Sequence, residues 1–128
     1  MLSVSKLLDS AVARHRAGRL GEAEALYKQI LLIEPGHADS LHLLGVLAGE
    51  VGHHEVAARL ISQAIRRRPA DPLYYRNLGV VMHRVGRFGE AVVCYSKALE
   101  IEPNHAETMR KLARSLSARG WHQLVSKI

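Results

Sequence analysis

Eight histidines and one cysteine are the side chains of this sequence that could hold a metal ion or attack a substrate. A structural zinc site needs three or four such ligands, paired a few residues apart and completed by another pair or a carboxylate. The histidines do not fall that way. His37 and His105 stand in separate stretches, His53 and His54 are neighbours in another, and His15, His42 and His83 lie in three different segments. No glycine-rich phosphate loop is present, and no nucleophile has a base at a spacing that would activate it. The sequence therefore offers no catalytic residue, no metal ligand set and no cofactor site, and the chain reads as a non-enzyme. What remains is positive charge, a formal net of +6 with a pI near 9.9, which draws anions of every kind. The basic residues are spread along the chain, and no aromatic row interleaves with them to stack bases, which argues against nucleic acid. Even Arg66, Arg67 and Arg68 have a plain use, since cations at the end of a helix complement its dipole.

The elements that must carry these residues follow from a period. Gly18, Gly52, Gly86 and Gly120 stand 34 residues apart, as do Pro35, Pro69 and Pro103, and as do Ala23, Ala57 and Ala91. A fixed period of that size means stacked repeats. Between Asp71 and His105 the unit is clearest. Tyr75, Leu78, Gly79 and Met82 fall at i, i+3, i+4 and i+7, one stripe of a helix that must be buried. Ala91, Tyr95, Ala98 and Leu99 form a second stripe, and Gly86 supplies the turn between them. Each unit is thus a helical hairpin, with Gly79 and Ala91 small where its two helices approach. Asp71 caps the first helix with Pro72 at its first position. Pro103 stops the second by forcing Glu102 out of the helical region. Asn104, with Glu107 three residues on, is expected to cap the helix after that.

At a 34-residue period, a large residue, then Leu-Gly, then Ala, an aromatic and Pro make up the pattern of the tetratricopeptide repeat family, and the chain resembles it. The third repeat reads Tyr75, Leu78, Gly79, Met82, Ala91, Tyr95, Pro103, and the second Leu41, Leu44, Gly45, Ala48, Ala57, Ile61, Pro69. The first is looser, with Leu7, Ser10, Ala11 and Arg14 before Ala23, Tyr27 and Pro35. A fourth holds Met109, Leu112, Ala113, Leu116 and Gly120. The resemblance implies an all-α fold, a right-handed superhelical stack of antiparallel helical hairpins. Residues 1–128 then form a single domain with repeats at about 4–37, 38–71 and 72–105 and a partial one at 106–128. The composition agrees, being 48% hydrophobic with few aromatics and no alternating β-branched runs that would signal a sheet.

Helices are expected over about 4–17, 21–33, 38–67 as a hairpin, and 106–119. A separate stub follows from Trp121, whose Trp121, Leu124, Val125 and Ile128 share a stripe that must lie on something. It either folds back as a cap, continues into further chain, or pairs with a second copy of the protein. Cys94 aligns with Leu26, Leu60 and Ile128, all apolar, and so reads as a small core residue. The first residues contain no long apolar run, so neither a signal peptide nor a membrane span is expected, and the location is cytoplasmic.

In the family the outer stripe of each first helix lines a concave groove that holds a peptide. Here that stripe contains Arg76, Asn77, Val80, His83 and Arg84 in the third repeat, Arg110, Lys111 and Arg114 in the last, and His42 in the second. Arg76, Arg84, Arg110, Lys111 and Arg114 are opposed only by Glu107, so an extended acidic peptide or a chain-terminal carboxylate is the expected guest. The carboxylate clamp of chaperone-binding members is absent as a unit, with Leu8 and Val12 at its first places. The asparagine ladder of sugar-transferase repeat domains is broken, since Asn77 matches it while Asp9, Leu43 and Lys111 do not. The expected function is a protein interaction scaffold, and the alternative is the interaction domain of a longer enzyme such as a glycosyltransferase or methyltransferase.

Overall fold

A computed structural model describes residues 3–127 of the chain. These form seven helices and no strand: α1 (Val4–Arg16), α2 (Leu20–Ile33), α3 (Ala38–Glu50), α4 (His54–Arg67), α5 (Pro72–Arg84), α6 (Phe88–Ile101) and α7 (Ala106–Ser126). They fall into two compact units, one ending at Pro69 and the other beginning at Ala70. The first holds the hairpins α1–α2 and α3–α4, with α2 also packed on α3. The second holds the hairpin α5–α6, against which α7 packs, mainly through α6.

The turns of the hairpins are built alike. Gly18, Gly52 and Gly86 take φ of +78°, +89° and +82°, a conformation that a side chain would strain. The amide after each glycine reaches back to close the helix end: Arg19 N–H donates to the Arg14 carbonyl at 2.9 Å, His53 to Ala48 at 2.8 Å and Arg87 to Met82 at 2.9 Å. With the glycine amides donating to the carbonyl one residue further on, this is the Schellman arrangement that satisfies the last carbonyls. The three alanines at the repeat period, Ala23, Ala57 and Ala91, are each wholly buried, which lets paired helices approach. In the first unit Ala11, Ala23, Tyr27, Leu44 and Leu47 form the core, flanked by Leu8, Leu20, Leu26, Leu31, Leu43 and Leu60.

Two expectations are corrected. Gly120 is not a turn: α7 continues straight through it to Ser126, so no separate stub begins at Trp121 and none folds back as a cap. Fold-back would set Val125 where Ala23, Ala57 and Ala91 stand, and those alanines have no exposed surface to spare for a larger residue. Nor does Asn104 cap α7. His105 does, its Nδ1 accepting from the Thr108 amide at 3.2 Å, as His37 accepts from Ser40 at 3.2 Å at the start of α3. Glu107 then lies inside the first turn and pairs with Lys111 at 3.8 Å. Asp71 caps α5 as expected, accepting from the Leu73 amide at 3.0 Å. The His105→Ala variant is expected to lose about 1 kcal/mol of stability, and His105→Asp to keep it, because aspartate accepts the same amide. Thermal melts followed by circular dichroism read the difference, and an alanine variant melting with the parent would refute the histidine cap.

The arginine run ends α4 as a dipole complement would. Arg66 and Arg67 lie in its last turn, and Arg68, its C-cap, pairs with Asp39 at 3.4 Å. No described helix is long and apolar enough to cross a membrane.

Candidate functional site

In the second unit α5, α6 and α7 enclose a cavity of about 220 Å³ lined by Val80, His83, Arg84, Tyr95, Lys111 and Arg114. Five of the residues expected on the groove are brought together there. Helical geometry explains the selection: Val80, His83 and Arg84 lie one turn apart on α5, and Lys111 and Arg114 on α7. His83 turns its Nδ1 to the Ser115 hydroxyl at 2.8 Å and its ring edge-on to Phe88. Arg84 and Arg114 are exposed, and among the described residues neither makes an ion pair.

The other expected residues stand elsewhere. Arg76 lies between α5 and the start of α7, its Nη1 3.2 Å from His105 Nδ1 and 3.3 Å from the Thr108 hydroxyl, where it steadies the helix cap. Asn77 is half-buried and Arg110 exposed, both outside the cavity lining. His42, in the first unit, is 2% exposed and presents no surface to a guest.

The first unit has a cavity on the corresponding positions, about 320 Å³, lined by Val12, His15, Arg16, Tyr27, Leu43 and Glu50. There the His15 ring bridges two partners, Nδ1 to the Tyr27 hydroxyl at 2.9 Å and Nε2 to the Glu50 carboxylate at 3.0 Å. Burial, with Glu50 assisting, pushes the Tyr27 hydroxyl up to about 12 against the pull of Arg16. Tyr95 is raised to about 12 as well, by burial first and then by Cys94, while Arg84 and Arg114 pull it down. Both tyrosines therefore keep their proton at neutral pH and remain donors. Sequence reasoning set Tyr27 and Tyr95 aside as core residues. Only their place in the two cavity linings gives them a second role.

The remaining chemistry-bearing residues are accounted for structurally. Cys94 is half-buried, and burial, then Glu90, pushes its thiol up to about 11, so it is a poor nucleophile at neutral pH. Among the described residues no three His, Cys, Asp or Glu side chains are placed to hold a metal ion.

Two models of the tetratricopeptide repeat match the chain, one over residues 72–105 and one over residues 14–78. The chain belongs to the tetratricopeptide repeat family. Its curated relatives include the probable biofilm formation methyltransferase WspC of Pseudomonas aeruginosa, 40% identical over 76 residues, which are 59% of this chain and 18% of that protein. Among solved structures, the O-GlcNAc transferase mutant of Thermobaculum terrenum superposes with a TM-score of 0.85 at 30% identity, over 91% of this chain and 23% of that one. The first tetratricopeptide domain of Spaghetti (RPAP3), bound to an HSP90 peptide, gives 0.87 at 19% identity over 91% and 93% of the two chains, a likeness of fold. The chain spans less than a quarter of the length of the curated relatives it matches.

Proposed function

We propose that this chain is a protein interaction module that seats an acidic segment of a partner on the α5–α7 cavity and carries out no chemistry of its own. The observation that carries this reading is the lining of that cavity, which presents Arg84, Lys111 and Arg114 and no carboxylate. An extended acidic segment would exchange solvated cations for charge-assisted hydrogen bonds, the stronger kind. The peptide-bound state of a domain with the same fold supports such a use of the fold. Residues 1–128 act together as one domain in this proposal, and the module works in the cytoplasm.

The test uses a fluorescein-labelled peptide of alternating glutamate and alanine, with a lysine and alanine peptide as control, read by anisotropy. The parent is expected to bind the acidic peptide alone, and Arg84→Gln with Arg114→Gln to weaken it at least about tenfold, the effect of two charged hydrogen bonds. Arg76 is left intact because it steadies α7. Retention of full affinity by the double variant, at unchanged helicity, would overturn the reading.

A second reading is favoured by the methyltransferase and glycosyltransferase relatives, of which a chain like this is a minor part. In it, the module brings an attached enzyme to its substrate protein. Sequencing the gene on both sides of the coding region tests it, and stop codons directly flanking the chain remove it. Self-association belongs with these proposals, since Trp121, Leu124 and Val125 are 69%, 55% and 52% exposed on α7, while Ile128 lies outside the described residues. Sedimentation should then show a mass that rises with concentration and a Trp121→Glu variant that stays monomeric; a parent that is monomeric throughout ends that idea.

A further inference from the structure

The two cavities occupy the same repeat positions and differ in charge. Val12, His15, Arg16 and Tyr27 recur two repeat periods later as Val80, His83, Arg84 and Tyr95. The residues that face them do not recur. Where the first unit has Leu43, Val46 and Glu50, the second has Lys111, Arg114 and Ala118. In the first cavity the Glu50 carboxylate offsets Arg16, and the lining is close to neutral. In the second the carboxylate is gone and two cations are added. Of these, Lys111 is partly offset by Glu107 at 3.8 Å, which leaves two guanidinium groups uncompensated on one small cavity.

A second difference concerns the tyrosine. The Tyr27 hydroxyl is engaged with His15, but His83 gives the corresponding nitrogen to Ser115 instead. Tyr95 is 2% exposed, lines the cavity, and its hydroxyl has no hydrogen-bond partner among the described residues. The hydroxyl is therefore open to an acceptor on a ligand that enters the cavity.

We propose that the α5–α7 cavity is a subsite for a phosphate monoester carried on the partner segment, gripped by Arg84 and Arg114, with Lys111 adding charge and the Tyr95 hydroxyl donating to a phosphoryl oxygen. The proposal rests on the reading of this cavity as the seat of an acidic segment and narrows it. A carboxylate brings one negative charge and would leave one guanidinium uncompensated. A phosphate monoester carries close to two at neutral pH and three acceptor oxygens, which match two arginine forks and a hydroxyl together. The space of about 220 Å³ is several times the roughly 30 Å³ share of one water, enough for a phosphoryl group and the stem that bears it.

Three small probes separate charge from shape: phenyl phosphate, a dianion at neutral pH; phenyl sulfate, of similar shape and one charge; and benzoate. Each is titrated into nitrogen-labelled protein while the arginine side-chain resonances are followed by NMR. Phenyl phosphate is expected to shift Arg84 and Arg114 saturably, with a dissociation constant at least about tenfold below those of the two monoanions. Arg84→Gln or Arg114→Gln should abolish that preference. Tyr95→Phe, which removes only the hydroxyl and keeps the ring packed, should weaken phenyl phosphate severalfold. If all three probes bind alike and depend on the arginines, or if the acidic peptide binds and phenyl phosphate does not, the phosphate assignment is overturned while the acidic-segment reading stands. If neither the peptide nor any probe responds to the arginine substitutions, both are overturned.

Discussion

Gly79→Leu is expected to destabilise the second unit by about 3 kcal/mol, the upper end of the cost of forcing volume into a packed core. Even a bare Cβ at this position would stand 2.5 Å from Tyr95 Cε1 and 2.8 Å from its Cδ1. The tyrosine ring is buried, and pushing it into the cavity that it lines would break its own packing. Relief would have to come from separating α5 and α6, and that exposes the contact made by Ala91 and Ala98. Gly45 occupies the same repeat position in the first unit, where a Cβ would meet Ile61 Cγ1 at 2.8 Å and the Ala57 carbonyl at 3.2 Å, so Gly45→Leu should behave similarly. Gly21→Ala is the control: it meets nothing within 4 Å and replaces a flexible residue inside a helix, so stability should hold or rise. Urea titration followed by circular dichroism measures all three. A leucine variant as stable as Gly21→Ala would show that the helices of the hairpin do not approach as described.

Tyr27→Ala should cost about 3 to 5 kcal/mol, as for other large aromatic side chains removed from a core. Tyr27 is wholly buried and packs with Ala11, Ala23, Leu44 and Leu47, so its loss opens a void between α2 and the helices on either side of it. Tyr27→Phe isolates the hydroxyl. It should cost about 1 kcal/mol, because it removes one hydrogen bond to a His15 ring that still holds Glu50. The ratio of the two effects is the informative quantity. If phenylalanine proved as damaging as alanine, the polar bridge rather than the packing would be holding the first unit together.

Much of this fold was legible because a repeat states its own rules several times. Gly18, Gly52 and Gly86 were read as turns from spacing alone, and each has the positive φ that the reading required. The period also marked Ala23, Ala57 and Ala91 as contact points, and they are wholly buried. Where the sequence reading failed, the missing information was tertiary. Gly120 keeps the period but lies within a helix, because a glycine permits a turn and only a packed partner makes the chain take it. Met109 and Leu116 are accordingly about half exposed although their pattern asks for burial. Tyr74, outside the expected stripe, is buried, while Tyr75 and Leu78 within it are only partly so.

The candidate site was legible to a similar extent. Helical spacing put Arg84, Lys111 and Arg114 on one face, and they share a cavity. The same spacing also offered Arg76 and His42. A stripe records direction from a helix axis, not what stands opposite, and Arg76 finds His105 and Thr108 there. The free hydroxyl of Tyr95 was out of reach for the same reason, since it depends on which way a neighbouring histidine turns.

The correspondence of the two cavities has a further consequence, for how such a chain can acquire a new partner. A surface that exists once cannot change its charge without giving up its former guest. Here the Val, His, Arg and Tyr framework exists twice, and the structural bridge of His15, Tyr27 and Glu50 stays in one copy. The other copy is free to exchange leucine, valine and glutamate for lysine, arginine and alanine. Redundancy of scaffold therefore separates what keeps the chain folded from what it recognises, and specificity can drift in one unit at no cost to the other's core.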